Sequence, residues 1–125
     1  MTPSGDYPAR VWALFEAVPS AGRPEGDGWC VGEARDALSG TWVRVYLRIG
    51  DGRIDEVRYE VRGCPYTVAA AALTALTWTG KTLPSASFQP RALLAELEAP
   101  VTKLGRILIV ETAYRRALQT AQSLS

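Results

Sequence analysis

The chain has 125 residues, 47% of them apolar and 22% charged, with a net charge of +1. These values suit one globular domain over residues 1–125 with its own hydrophobic core, and give no electrostatic pull towards nucleic acid or an anionic membrane. Histidine is absent and Cys30 and Cys64 are the only cysteines, which excludes histidine-based catalysis, histidine metal ligands and a four-thiolate zinc or iron–sulfur site built by this chain alone.

The opening Met1-Thr2-Pro3-Ser4-Gly5-Asp6 lacks the basic-then-apolar layout of a signal peptide. The longest apolar run, around Val68–Leu76, is too short to span a bilayer. A cytoplasmic location with both cysteines reduced is the expectation. Tyr7 to Val18 predicts an amphipathic helix, since Val11, Leu14, Phe15 and Val18 recur at the spacing of one helical face. Pro19 to Gly22 ends it, and the glycine- and proline-rich segment Gly22 to Gly28 is a loop. Gly28 to Leu38 permits a short edge strand without demanding one, and Cys30 within it reads most simply as a small packing residue.

Val43, Val45, Leu47 and Ile49 alternate with Trp42, Arg44, Tyr46 and Arg48, the period of a strand with one covered face. Gly50-Asp51-Gly52-Arg53 supplies hairpin chemistry, and the return strand sets Val57, Tyr59 and Val61 against Glu56, Arg58, Glu60 and Arg62. A helix follows from Pro65 to about Thr79, stopped at Gly80, with Ala69 to Ala72 small enough to let it approach the sheet closely. Lys81 to Gln89 is a loop and Pro90 to Leu97 a short helix ended by Pro100. From about Lys103 a last helix carries Leu104, Ile107, Leu108, Val110, Tyr114, Ala117, Leu118 and Ala121 on an apolar stripe, with Arg115, Arg116 and Gln119 on the wet side. The sum is an α+β, two-layer domain: a three-stranded antiparallel sheet covered on one face by helices.

The junction Arg62-Gly63-Cys64-Pro65 is where strand pattern becomes helix pattern. Pro65 suits the first helical position, which leaves Cys64 as the N-cap residue. Its sulfur would face unpaired backbone N–H groups and the positive helix end, which lowers a thiol pKa; the thiolate is both the nucleophilic and the metal-binding form. The bland reading, a buried small apolar side chain, stands beside it. The four tryptophans, Trp12, Trp29, Trp42 and Trp78, read as packing or contact residues, with Trp29, Trp42 and Tyr46 a candidate exposed patch on the strands.

The order of these elements, the Asp51-Gly52-Arg53-Ile54 turn, the run Gly63-Cys64-Pro65-Tyr66-Thr67-Val68 with its alanines, and Glu96 to Lys103 together resemble the iron–sulfur cluster assembly scaffold family, the IscU type that also forms the N-terminal domain of NifU. The resemblance covers nearly the whole chain and implies a scaffold rather than an enzyme. It implies a [2Fe-2S] cluster or iron as cargo, and a cysteine desulfurase or other cluster-assembly protein as partner, with a homodimer left open. The family holds its cluster with three cysteines, an Asp and in some members a His. On that pattern Cys64 falls on the second cysteine. Ser39 falls on the first, Thr41 on the Asp, Gly105 on the His and Arg106 on the third cysteine, while Lys103 keeps the family lysine. Cys64 is thus the candidate metal- and cofactor-binding residue, with Ser39, Thr41, Lys103 and Arg106 as its expected neighbours. A serine hydroxyl is a poor iron ligand at neutral pH and a guanidinium is none. Arg106 would instead pair with a Cys64 thiolate. The implied function is cluster assembly or transfer with Cys64 as sulfur acceptor or sole thiolate ligand, unable to hold a [2Fe-2S] cluster alone. The alternative is a non-catalytic interaction module that binds assembly partners without a cluster.

Overall fold

The computed structural model describes residues 7–17 and 20–124; the expected helix residue Val18 and the opening hexapeptide lie outside the described residues. Helix α1 (Ala9–Ala17) leads into strands β1 (Trp29–Asp36), β2 (Thr41–Gly50) and β3 (Arg53–Arg62). Helices α2 (Pro65–Trp78), α3 (Pro90–Glu96) and α4 (Leu104–Leu124) follow, with single 3₁₀ turns at Leu83–Ser85 and Val101–Lys103. The sheet is antiparallel in the order β1-β2-β3, so the expected α+β architecture is the one observed.

The β2–β3 hairpin forms because its two turn residues, Asp51 (φ 52°) and Gly52 (φ 72°), both take left-handed backbone, the twist that joins adjacent antiparallel strands in a two-residue loop. Val43, Val45, Leu47, Ile54, Val57 and Tyr59 leave the hairpin on the covered face and are essentially inaccessible. Helix α4 crosses β1 and β2, α2 lies against β3, and α1 packs on α2. Ala69 to Ala72 of α2 are wholly buried, as their small size foretold. Tyr114 of α4, also wholly buried, closes the layer by donating its hydroxyl to Ala71 O at 2.8 Å.

Strand β1 is longer and more regular than its sequence suggested. Its inward residues are Cys30, Gly32 and Ala34, which are small because α4 lies directly on them. A Cβ added at Gly32 would overlap the backbone of Ala113 and Ala117, so glycine is what lets helix and strand touch. The free edge of β1 is covered too: Arg116 Nη1 donates to Glu33 O (2.7 Å) and Thr120 Oγ1 to Val31 O (3.3 Å), which blocks pairing with another strand. Leu108, placed by the sequence on the apolar stripe of α4, is 41% exposed, because Ile107 and Val110 on either side of it take the inward direction.

Candidate functional site

The end of the sheet where β2 begins and β3 finishes gathers the predicted residues. Pairing between these strands stops at Trp42–Arg62; Thr41 stays paired with Asp36 of β1, while the backbone of the other strand runs on from Arg62 through Gly63 to Cys64. Cys64 is the N-cap of α2, with extended backbone (φ −75°, ψ 167°) and Pro65 in the first turn, as the sequence required. Its carbonyl accepts from the N–H groups of Thr67 (2.9 Å) and Val68 (3.1 Å), fixing the start of the helix.

The thiol is half-buried, and its Sγ lies 3.4 Å from Thr67 Oγ1. Burial pushes its pKa up, but the Thr67 hydroxyl, the backbone N–H groups of Thr67 and Tyr66, and the charge of Lys103 together outweigh burial and hold it below the ordinary thiol value. Lys103 sits on the 3₁₀ turn before α4, its Nζ 6.0 Å from the centre of the Tyr66 ring. Burial alone acts on Cys30 and raises its pKa, so the two thiols differ in kind. Cys30 is a core residue.

The other three predicted residues form a hydrogen-bonded chain. Arg106 Nη1 donates to Thr41 Oγ1 at 3.1 Å, and Ser39 Oγ lies 2.8 Å from the same hydroxyl and 2.7 Å from Asp36 Oδ2. Thr41 is buried, and its N–H donates to Ser39 Oγ at 3.3 Å. The bond to Ser39 leads the causes that lower the Asp36 pKa, with the Arg106 charge contributing. The sequence assigned Arg106 to the Cys64 thiolate, whereas the structure turns it onto Thr41 and leaves Lys103 as the cation acting on the thiol. The five predicted residues thus fall into two groups, Cys64 with Lys103 and Ser39 with Thr41 and Arg106; Lys103 and Arg106 are three positions apart.

Two participants escaped the sequence reading. Thr67 stands three positions after the N-cap, the spacing at which N-terminal side chains and backbone meet, and that spacing was a usable signal. Asp36 precedes Ser39 by three, an ordinary turn spacing, and it joins the group chiefly through Ser39, with the Arg106 charge contributing. Among the described residues, no group of three or more His, Cys, Asp and Glu side chains could hold a metal ion. Around this end Leu38 is 98% exposed and Val101 66% exposed. No helix among the described residues is long and apolar enough to cross a membrane.

Comparison with known proteins places this geometry in context. Residues 6–123 match the family model of the NifU-like N-terminal domain. Two iron–sulfur cluster assembly scaffold proteins of Archaeoglobus fulgidus, IscU 1 and IscU 2, are each 26% identical over 115 residues, a span of 90% of this chain and 74% of theirs. The N-terminal NifU-like protein of Brucella abortus has the same fold, with a TM-score of 0.75 at 18% identity over 94% of this chain and 95% of that one. So does a candidate cluster assembly scaffold for the SUF system of Fervidobacterium islandicum AW-1, with a TM-score of 0.74 at 17% identity over 90% and 96% of the two chains.

Proposed function

The chain belongs to the NifU-like N-terminal domain family, and from that premise we propose that it serves iron–sulfur cluster assembly or transfer as a non-catalytic scaffold-type protein, with Cys64 accepting sulfur or supplying its one thiolate to iron. The observation that carries this reading is the state of that thiol. It is half-buried yet held towards the thiolate by Thr67, two backbone N–H groups and Lys103, which is the form that attacks sulfur and binds metal.

The same residues argue against a [2Fe-2S] cargo held by this chain alone. Besides Cys64, this end of the sheet offers three hydroxyls (Ser39, Thr41 and Thr67), one hydrogen-bonded carboxylate, a guanidinium and the Lys103 ammonium. Neutral hydroxyls are weak donors to iron, and a guanidinium has no lone pair to give. A second protein or a small thiol would have to complete the ligand set. The partner of this reading is a cysteine desulfurase or another cluster-assembly protein.

The test is sulfur loading. Incubated with a cysteine desulfurase and free cysteine, the protein should gain sulfur on Cys64 by mass spectrometry, and Cys64→Ser should gain none. Sulfur absent from Cys64, or present equally on Cys30, contradicts the sulfur-acceptor form of the reading and leaves iron ligation as the only role for the thiol. A partner-binding module without cargo is the second reading, favoured by the exposed Leu38 and Val101 beside the site. Under it, Cys64→Ala leaves binding to the desulfurase unchanged while Leu38→Asp abolishes it.

A further inference from the structure

On the outer face of the sheet the antiparallel register lines side chains up in rows across the three strands. The row nearest Cys64 is Arg35, Trp42 and Arg62, one from each strand; the next is Glu33, Arg44 and Glu60. The second row sets a cation between two acids, whereas the first sets two cations about an indole and contains no acid. Arg62 lies with its guanidinium 6.0 Å from the centre of the Trp42 ring. Arg35 meets Glu33 at 3.7 Å with its side chain 72% exposed, a long and solvated contact that another anion readily replaces.

The nearby acids are held by other donors. Glu33 accepts from the Trp42 indole N–H, and Asp36 accepts from Ser39 at 2.7 Å. A cleft of about 430 Å³ is lined by Arg35, Trp42 and Arg62 together with Asp36, Gly40 and Thr41. Its charged lining is two cations against one anion. That volume is within the range of small-molecule sites.

We propose that this cleft binds a small molecule through a carboxylate or phosphate group held between Arg35 and Arg62, with the body of the molecule against the Trp42 indole. Guanidinium groups match such oxyanions in planar geometry and charge, and can hold them by two parallel charge-assisted hydrogen bonds. The cleft reaches the Cys64 end of the sheet through Thr41, which lines it, and through Arg62, two positions before the thiol. The proposal does not rest on the sulfur chemistry of Cys64, and its test is made on Cys64→Ser protein so that the two stand or fall separately.

Sodium phosphate and, separately, sodium succinate are titrated at constant ionic strength while tryptophan fluorescence is followed. A saturable change with at least one anion is expected, absent from Trp42→Phe. In Arg35→Gln and Arg62→Gln the affinity should be about tenfold weaker or more, the size expected when a charge-assisted hydrogen bond is lost, while thermal melts stay those of the parent. Saturation by one anion and not the other identifies which oxyanion the cleft takes. No saturable change with either, or affinities unaltered in both arginine variants, overturns the proposal.

Discussion

The covered face of the sheet and its Cys64 end share one backbone but are held by different chemistry. On the covered face, aliphatic side chains, a row of alanines and Tyr114 fill the space between sheet and helices, and few polar side chains are buried among them. At the Cys64 end, contacts pass through side-chain hydroxyls, a guanidinium, an ammonium and a half-buried thiol. The first region fixes where the second must be, because α2 and α4 start at that end, with Cys64 capping α2, Lys103 on the turn just before α4 and Arg106 in the first turn of α4. A site so arranged can change its donor atoms while the fold persists, which is how a family member can carry Ser39, Thr41 and Arg106 where the family resemblance implies cysteine and aspartate.

Substitution should separate the two regions, and the largest effect belongs to the covered face. Gly32→Ala puts a Cβ into the backbone of α4 and should cost about 3 kcal/mol, the upper part of the range for overpacking, read as a lowered urea midpoint. A midpoint unchanged by this substitution would mean that α4 does not press on β1. Tyr114→Phe removes the hydroxyl bonded to Ala71 O and should cost about 1–2 kcal/mol, because the carbonyl loses a buried partner. Cys64→Ser, at the other region, should leave the midpoint within about 0.5 kcal/mol.

The buried tyrosines also give the covered face a pH signature. Burial pushes Tyr59 up to about 12 and Tyr114 well above its ordinary value. Both are raised in the folded state, so their contribution is full below about pH 10, where an unfolded tyrosine ionises, and is lost as pH climbs from there towards the folded values. Ellipticity followed from pH 9 upward should therefore fall above about pH 10; stability flat to pH 12 contradicts the burial of Tyr59 and Tyr114.

How much of this was legible in the sequence also divides by region. The β2–β3 hairpin was plain, because large apolar residues alternate with charges around an Asp-Gly turn. Strand β1 was faint for a physical reason: its inward residues were made small to admit α4, and with them went the contrast that marks a strand. Cys64 at a helix start was legible from Pro65 alone. The bond from Arg106 to Thr41 was not, since it joins residues 65 positions apart and exists only because α4 docks across β2. Lys103 and Arg106 looked interchangeable as cations near the thiol; their separate partners are a matter of one helical turn.

The thiol supplies a smaller effect that sharpens the comparison. Its folded pKa lies below the unfolded one, so the thiolate's contribution to stability is present above the unfolded value and is lost as pH falls through the folded value. In a Cys30→Ala background the rate of iodoacetamide labelling against pH should rise at lower pH than in the unfolded chain. Thr67→Val should move that profile to higher pH, and Lys103→Met should move it the same way by less, the order in which the two groups act against burial. Profiles identical to the parent would show that the thiol does not feel its neighbours.

The central proposal is that this member of the NifU-like N-terminal domain family offers one competent thiolate and does not hold a cluster alone. It is tested most directly by anaerobic reconstitution of the protein with iron and sulfide, followed by desalting and visible absorption, with Ser39→Cys/Arg106→Cys treated in parallel. The account predicts no cluster absorbance from the natural chain and its appearance in the double variant, which restores three thiols at the positions the family resemblance implies. A stable [2Fe-2S] spectrum from the natural chain without partner or added thiol would contradict it.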